Sequence, residues 1–287
     1  MGVTLTSAEI RRAVWAALRE DIGRGDVTTL ATVPRASQST ASLRAREPMV
    51  VAGLDFAVAA FRRLSPKIKI EYRTGDGEKL PAGAGLLRVA GSSRAILGAE
   101  RVALNFVQRL SGVATATATF VAAVKGTAAT ILDTRKTTPG WRRFEKYAVT
   151  CGGGRNHRAG LFDMVLIKDN HLAALAGEKP DAVTAAVQKS RRAFPRLKIE
   201  IEADDLSQVA QAADAGADIL LLDNMSLAEL RQAVKLVAGR ALTEASGGVT
   251  LKTVAAIART GVDYISVGAI THSAPAVDIG LDFEEPD

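Results

Sequence analysis

Between residues 129 and 267 the chain repeats one pattern six times: a short apolar run, a polar or glycine-rich break, then a stretch with helical spacing. The apolar runs are 129–132, 164–167, 198–201, 219–222, 241–243 and 264–267, and helical patterns include 205–215, 227–237 and 251–259. Strands this apolar, separated by amphipathic helices, need cover on both faces, as in a parallel sheet wrapped by helices. Six repeats fall short of the eight in a complete barrel. The pattern therefore predicts an α/β fold built on an open or shortened parallel α/β barrel, with a doubly wound sheet as the structural alternative.

The first part of the chain has a different texture. Thr6 and Glu9 have capping-box spacing, and Ile10, Val14, Ala17 and Leu18 make an apolar stripe, so a helix is expected at the start. Strand-like runs follow at 39–46, 49–52, 67–72 and 86–90, separated by turns such as Thr74-Gly75-Asp76-Gly77 and Pro81-Ala82-Gly83-Ala84-Gly85. This reads as an N-terminal α+β domain with a small, mostly antiparallel sheet. A helix over 99–124, bent near Ser111-Gly112, leads out of it. The expected domains are 1–112 and 113–287, the latter carrying the active site, with the C-terminal tail packing back on the first.

Composition narrows the function. The 287 residues carry 37 Lys+Arg against 31 Asp+Glu, a net +6, yet basic residues cluster only in pairs and aromatics are 5%. A nucleic-acid reader needs basic runs interleaved with aromatics, so no nucleic-acid partner is expected. Anionic small molecules fit the charge better. No apolar run approaches the ~18–20 residues that span a bilayer, and the start MGVTLTSAEIRR lacks the pattern of a secretory signal. Cys151 is the single cysteine, which suits a reducing compartment. A cytoplasmic protein without a membrane partner is expected.

The strand ends carry the chemistry. In order they present Asp133-Thr134-Arg135-Lys136, Lys168-Asp169-Asn170-His171, Glu202 with Asp204, Asp223-Asn224, Glu244-Ala245-Ser246-Gly247-Gly248, and Gly268. In parallel barrels the site is built at this face. Helix N-capping accounts for Asp204, Asp205 and Ser226. It does not account for Arg135, Lys136, Lys168 or Glu202, and the three cations would be unfavourable at a helix start. Ser246-Gly247-Gly248 and Gly268 follow the last two strands, where glycines let backbone N–H groups approach a phosphate. Glu202 and Asp223, with Glu200 and Glu244 nearby in the same pattern, suit Mg²⁺ bound largely through phosphate and water. The same acids could instead partner Arg135, Lys136 and Lys168, and the sequence leaves open whether Glu200 or Glu202 stands nearer a metal. Arg135, Lys136, Arg158 and Lys168, with His157 beside Arg158, imply a ligand with several negative charges. Gly152-Gly153-Gly154 reads as a lid loop or as an ordinary connection. Cys151 is read as structural, and His157, His171 and His272 lack zinc-ligand spacing.

These residues resemble the quinolinate phosphoribosyltransferase family. The resemblance is carried by Glu20-Asp21-Ile22-Gly23-Arg24-Gly25-Asp26, Glu100-Arg101-Val102-Ala103-Leu104-Asn105, and Asp133-Thr134-Arg135-Lys136-Thr137-Thr138-Pro139-Gly140. It continues through Glu145-Lys146-Tyr147-Ala148-Val149, Gly152-Gly153-Gly154-Arg155-Asn156-His157-Arg158 and Ile167-Lys168-Asp169-Asn170-His171. Leu221-Leu222-Asp223-Asn224, Glu244-Ala245-Ser246-Gly247-Gly248 and Val267-Gly268-Ala269-Ile270-Thr271-His272 complete it, in family order over nearly the whole chain.

The resemblance implies transfer of phosphoribose from phosphoribosyl pyrophosphate to quinolinate with Mg²⁺, giving nicotinate mononucleotide, pyrophosphate and CO₂ in NAD biosynthesis. By matching positions, Arg135, His157, Arg158 and Lys168 would grip the quinolinate carboxylates, and Thr134 and Lys136 would lie by the substrates. Glu202 and Asp223 would meet the ribose and its metal, and Ser246, Gly247, Gly248 and Gly268 would hold the 5′-phosphate. Lys168, Glu202 and Asp223 are the implied catalytic residues. Arg101 would reach a neighbouring subunit's site, implying a homodimer or higher oligomer with shared active sites. The alternatives are a related phosphoribosyltransferase-fold protein for another acid, a barrel aldolase or isomerase using Lys168 as a Schiff base, and a non-enzymatic anion- or nucleic-acid-binding protein.

Overall fold

Helix α1 (Ser7–Ile22) starts where the Thr6 side chain accepts the Glu9 N–H and the Glu9 carboxylate accepts the Thr6 N–H. Its stripe Ile10, Val14 and Leu18 is buried at four-residue spacing. The computed structural model describes residues 2–285, so positions 1, 286 and 287, at the ends of the expected domains, lie outside the described residues.

The chain divides into two units. The first comprises the segment up to Ala118, Thr138–Gly153 and the segment from Ser273 on. After α1 come α2 (Val27–Thr32), β1 (Gln38–Ala45), β2 (Met49–Val50), α3 (Leu54–Leu64), β3 (Lys69–Tyr72), β4 (Lys79–Leu80), β5 (Gly85–Ser92) and α4 (Ser93–Ala123). A four-stranded antiparallel sheet has the order β12-β1-β5-β3, in which β12 (Ile279–Phe283) is the C-terminal segment paired along β1. Strands β2 and β4 pair separately.

The start of helix α3 has no local capping signal because its cap comes from far along the chain. Gly53 at its start is left-handed (φ 94°), and the Asp76 carboxylate accepts the N–H groups of Gly53 (2.7 Å) and Leu54 (3.2 Å). Helix α4 runs unbroken through the expected bend. The Ser111 hydroxyl accepts the Ala52 N–H (2.9 Å), and Gly112 faces the Pro275 carbonyl so closely that any Cβ would collide with it. Helix α5 (Arg142–Cys151) also belongs to this unit.

The second unit comprises Thr119–Thr137 and Gly154–His272. Its strands are β6 (Thr130–Leu132), β7 (Val165–Ile167), β8 (Ile199–Ala203), β9 (Ile219–Asp223), β10 (Leu242–Ser246) and β11 (Tyr264–Ser266). Its helices are α6 (Asp169–Ala173), α7 (Ala182–Ala193), α8 (Leu206–Asp214), α9 (Leu227–Val237), α10 (Val254–Ala258) and α11 (Ala269–His272). All six expected strands are present and every pairing is parallel, in the order β6-β11-β10-β9-β8-β7. The first strand thus joins the last while β7 to β11 follow consecutively. That order describes a ring open between β6 and β7, whereas a doubly wound sheet would reverse direction at a switch point. No helix among the described residues is long and apolar enough to cross a membrane.

One expected helix start moves. The helical pattern in the sequence starts at 251, but α10 opens at Val254 because Thr250 and Thr253 turn the chain first, the Thr250 N–H donating to Thr253 Oγ1 (3.0 Å).

Candidate active site

Alternation along the strands sets the layers of the barrel. On β8, Ile199, Ile201 and Ala203 take one face while Glu200 and Glu202 take the other. The two acids differ in depth. Glu200 is fully buried, whereas Glu202 ends near the mouth and accepts the Lys168 ammonium at 2.8 Å. Lys168 follows β7 directly, and its backbone N–H donates to His171 Nδ1 (2.9 Å). Asp223, the last residue of β9, completes an acidic group with Glu202 and Asp204 whose oxygens lie within 4.8 Å of one another. Asn224 beside it is left-handed (φ 53°), with its Nδ2 donating to Asp223 and its N–H donating to the Ser246 carbonyl (3.0 Å).

The cations converge on the opposite flank. Asp133 is fully buried after β6, where its carboxylate accepts the His157 N–H (2.8 Å) and the Asn156 Nδ2–H (2.7 Å). The Arg155 N–H donates to the Ile131 carbonyl and the Asp133 N–H to the Arg155 carbonyl, stitching segment 154–158 to the end of β6. Arg158 is thereby brought near Arg135. Partial burial and the Arg135 charge hold its guanidinium below the ordinary arginine range, against the pull of Glu200 and Asp163. Asp163 closes the following turn by accepting the N–H groups of Ala159 and Gly160.

Beneath this rim lies a buried cluster. The His157 side chain is 8% exposed, and its Nε2 stands 2.9 Å from a Glu200 oxygen and 3.5 Å from a Glu244 oxygen. Its Nδ1 accepts the Arg158 backbone N–H at 2.8 Å, so both ring nitrogens are engaged. Burial, then the Glu200 carboxylate, push the Glu244 carboxyl up to about 8, with His157 opposing them.

The last two strand ends are glycine-shaped. Gly247 (φ 95°) and Gly248 (φ 56°) are both left-handed, and a Cβ on Gly247 would collide with the Asn224 side chain. A Cβ on Gly268 would meet His272 Nε2 at 3.1 Å and Lys136 Cδ at 3.2 Å, which puts Lys136 beside this loop. The Thr271 hydroxyl donates to the Lys136 carbonyl (2.7 Å), and the Lys136 N–H donates to Thr134 Oγ1 (3.0 Å).

Thr134, Arg135, Lys136, His157, Arg158, Lys168, Glu202, Asp223, Ser246, Gly247, Gly248 and Gly268 thus all belong to the barrel unit, at or just below the C-terminal ends of its strands. Arg101 belongs to the other unit, exposed on α4. The reading of Gly152-Gly153-Gly154 as a lid needs correction. Gly152 N–H donates to the Ala148 carbonyl, and a Cβ there would collide with the Ala114 carbonyl oxygen, so Gly152 is a packed helix end. Sequence reasoning passed over Asp133 and Asn224 as individual residues. Their available signal was position, since each is a short polar side chain at a strand end next to a candidate ligand group.

Two family models match the chain: "Quinolinate phosphoribosyl transferase, N-terminal domain" over residues 26–111 and the corresponding C-terminal domain over 113–282. A nicotinate-nucleotide pyrophosphorylase [carboxylating] from Mycobacterium leprae (strain TN) is 44% identical over 278 residues, covering 95% of this chain and 96% of the relative. A quinolinate phosphoribosyltransferase [decarboxylating] from Nicotiana glauca is 42% identical over 289 residues, covering 95% and 82%. Among solved structures, the nicotinate-nucleotide pyrophosphorylase from Francisella tularensis superposes with a TM-score of 0.92 at 40% identity, covering 98% of each chain.

Proposed function

The chain belongs to the quinolinate phosphoribosyltransferase family, and from that premise we propose how its barrel rim carries the family's reaction. The enzyme transfers phosphoribose from phosphoribosyl pyrophosphate to quinolinate with loss of CO₂, yielding nicotinate mononucleotide and pyrophosphate for NAD biosynthesis.

One observation carries the assignment of roles. Arg135 and Arg158 stand close enough to repel, and Arg158 is partly buried. Like charges in such a place cost free energy until an anion lies between them. A pyridine dicarboxylate is such an anion, and arginine forks match its carboxylates. In our reading Arg135 and Arg158 hold the two carboxylates. Lys168 exchanges its Glu202 partner for substrate when the site fills. His157 was grouped with these cations in the sequence; with both nitrogens engaged, we place it behind Arg158 as support.

Ser246, Gly247, Gly248 and Gly268 hold the sugar 5′-phosphate in this reading, on glycines whose backbone N–H groups carry no side chain between them and an anion, Gly247 being packed against Asn224. Lys136 and Thr134 lie beside that loop and suit the donor's pyrophosphate. The donor set Glu202, Asp204 and Asp223 consists of hard carboxylate oxygens in mutual reach, which fits Mg²⁺. Bound there, the ion would neutralise charge on the departing pyrophosphate. Glu202 and Asp223 also stabilise positive charge that develops at the anomeric carbon as its bond to pyrophosphate breaks and the bond to the pyridine nitrogen forms. The ring, now a pyridinium, stabilises the carbanion left on the ring carbon when CO₂ departs, and that carbon then takes a proton from water. Lys168 and the arginines fix the ring for this step without a covalent intermediate.

Arg101, exposed on α4, serves a neighbouring subunit's site, making a homodimer the smallest active unit. The working compartment in this reading is the cytoplasm. Against a Schiff-base aldolase stands the Lys168–Glu202 pair, because an ammonium held by a carboxylate is not the free amine that such chemistry needs. The test is K168A. It should lower turnover by about two orders of magnitude or more with its circular dichroism and melting curve unchanged; near-normal turnover would refute the role.

A further inference from the structure

The buried cluster under the rim holds three ionisable side chains in the barrel interior, and two of them, Glu200 and Glu244, take part in no step above. Glu200 and Glu244 are 0% and 1% exposed, and the His157 ring lies within reach of both. Burying carboxylates costs several kcal/mol in general, so an arrangement of this kind persists only where its members hold one another in place.

The bonds run outward from the cluster to the rim. Glu200 and Glu244 flank His157 Nε2 at 2.9 and 3.5 Å, and none of their four buried oxygens has a hydrogen-bond partner among the described residues, so the ring stands against them by close charge contact. On its other side the ring offers Nδ1, which accepts the Arg158 N–H at 2.8 Å. The neighbouring backbone is held from the other side, where Asp133 accepts the His157 N–H at 2.8 Å. Arg158 therefore starts from a backbone pinned at two successive amides, and Glu200 lies near enough to attract its guanidinium against the repulsion of Arg135.

Resting on the quinolinate reading, we propose that Glu244 is a positioning residue for the diacid: together with Glu200 it holds the His157 ring, and through His157 Nδ1 it sets where Arg158 meets a substrate carboxylate. The competing possibility is a metal ion held by His157, Glu200 and Glu244, whose ligand atoms lie within 4.8 Å of one another. The cluster offers three protein ligands, whereas a structural zinc site takes four. The connection of the ring to Arg158 favours positioning.

The experiment compares steady-state kinetics of the full-length wild type, E244M and E244Q, varying quinolinate and phosphoribosyl pyrophosphate separately. Methionine matches the length of Glu244 but offers His157 no oxygen, and glutamine restores one. The expected result is a rise of tenfold or more in KM for quinolinate in E244M. KM for phosphoribosyl pyrophosphate should stay within about twofold of wild type, and E244Q should recover most of the loss. If E244M is not recovered folded, E244D serves, since the shorter side chain withdraws the carboxylate from His157 and should raise the same KM. Equal effects on both substrates, no effect on either, or failure of E244Q to recover would overturn the proposal. So would a stoichiometric metal in the wild type that E244M loses. A wild type without turnover of quinolinate would instead defeat the functional reading beneath it.

Discussion

At the scale of single residues, the barrel separates two kinds of acid by depth alone. Glu202 and Glu200 are two positions apart on β8 and point to the same side, yet one meets Lys168 at the mouth and the other is sealed in the core. The alternation was legible in the sequence. The depth was not, because it depends on how far each strand runs past its neighbours. Glu244 shows the energetic consequence. Its carboxyl titrates near 8 in the folded protein, well above the ordinary 4.5, chiefly because of burial. A raised carboxyl pKa means that the folded state binds the proton more tightly than the unfolded chain. Its contribution to stability is therefore complete below about pH 4.5 and is lost as pH rises through about 8. In urea denaturation across that range, wild type should lose stability relative to E244Q by at most about 1.4 kcal/mol per pH unit. Parallel curves for the two proteins would contradict the assignment.

At the scale of elements, the six barrel strands could be read from sequence because each is a bounded apolar run needing cover on two faces. Helix α9 was placed at its observed limits because Ser226 and Glu229 cap it locally. Helix α3 was invisible for the opposite reason, since its capping carboxylate, Asp76, lies more than twenty residues away. The C-terminal tail was expected to pack back on the first domain, but the strand form of β12 was hidden, because pairing with β1 across the length of the chain leaves little local trace. Gly112 on α4 illustrates such long-range fit. Replacing it by alanine adds one methyl group against the Pro275 carbonyl, in the middle of a buried helix. Although alanine is the better helix former, G112A should destabilise the protein by about 1–3 kcal/mol. A melting temperature equal to or above that of wild type would show that the C-terminal segment yields to the added atom.

At the scale of the whole molecule, the strand-end residues were legible because a parallel barrel gathers its strand ends on one face, whatever lies between them in sequence. Arg101 is the exception, as its proposed role needs a second copy of the chain. Mixed dimers test that role. R101A and K168A, each inactive alone, should regain activity when co-refolded, because a heterodimer places both lesions in one site and leaves the other intact. Random pairing predicts about one quarter of the wild-type sites. No recovery, in a mixture shown by mass to contain heterodimers, would mean that Arg101 acts within its own chain.

The central claim is that this rim brings an aromatic diacid and a phosphorylated sugar together beside a divalent cation. It is tested most directly by incubating the protein with carboxyl-labelled quinolinate, phosphoribosyl pyrophosphate and Mg²⁺, then measuring CO₂ and nicotinate mononucleotide with each component omitted in turn. The account predicts both products in equal amounts, only in the complete mixture. CO₂ released without phosphoribosyl pyrophosphate, or no nucleotide from the complete mixture, would contradict it.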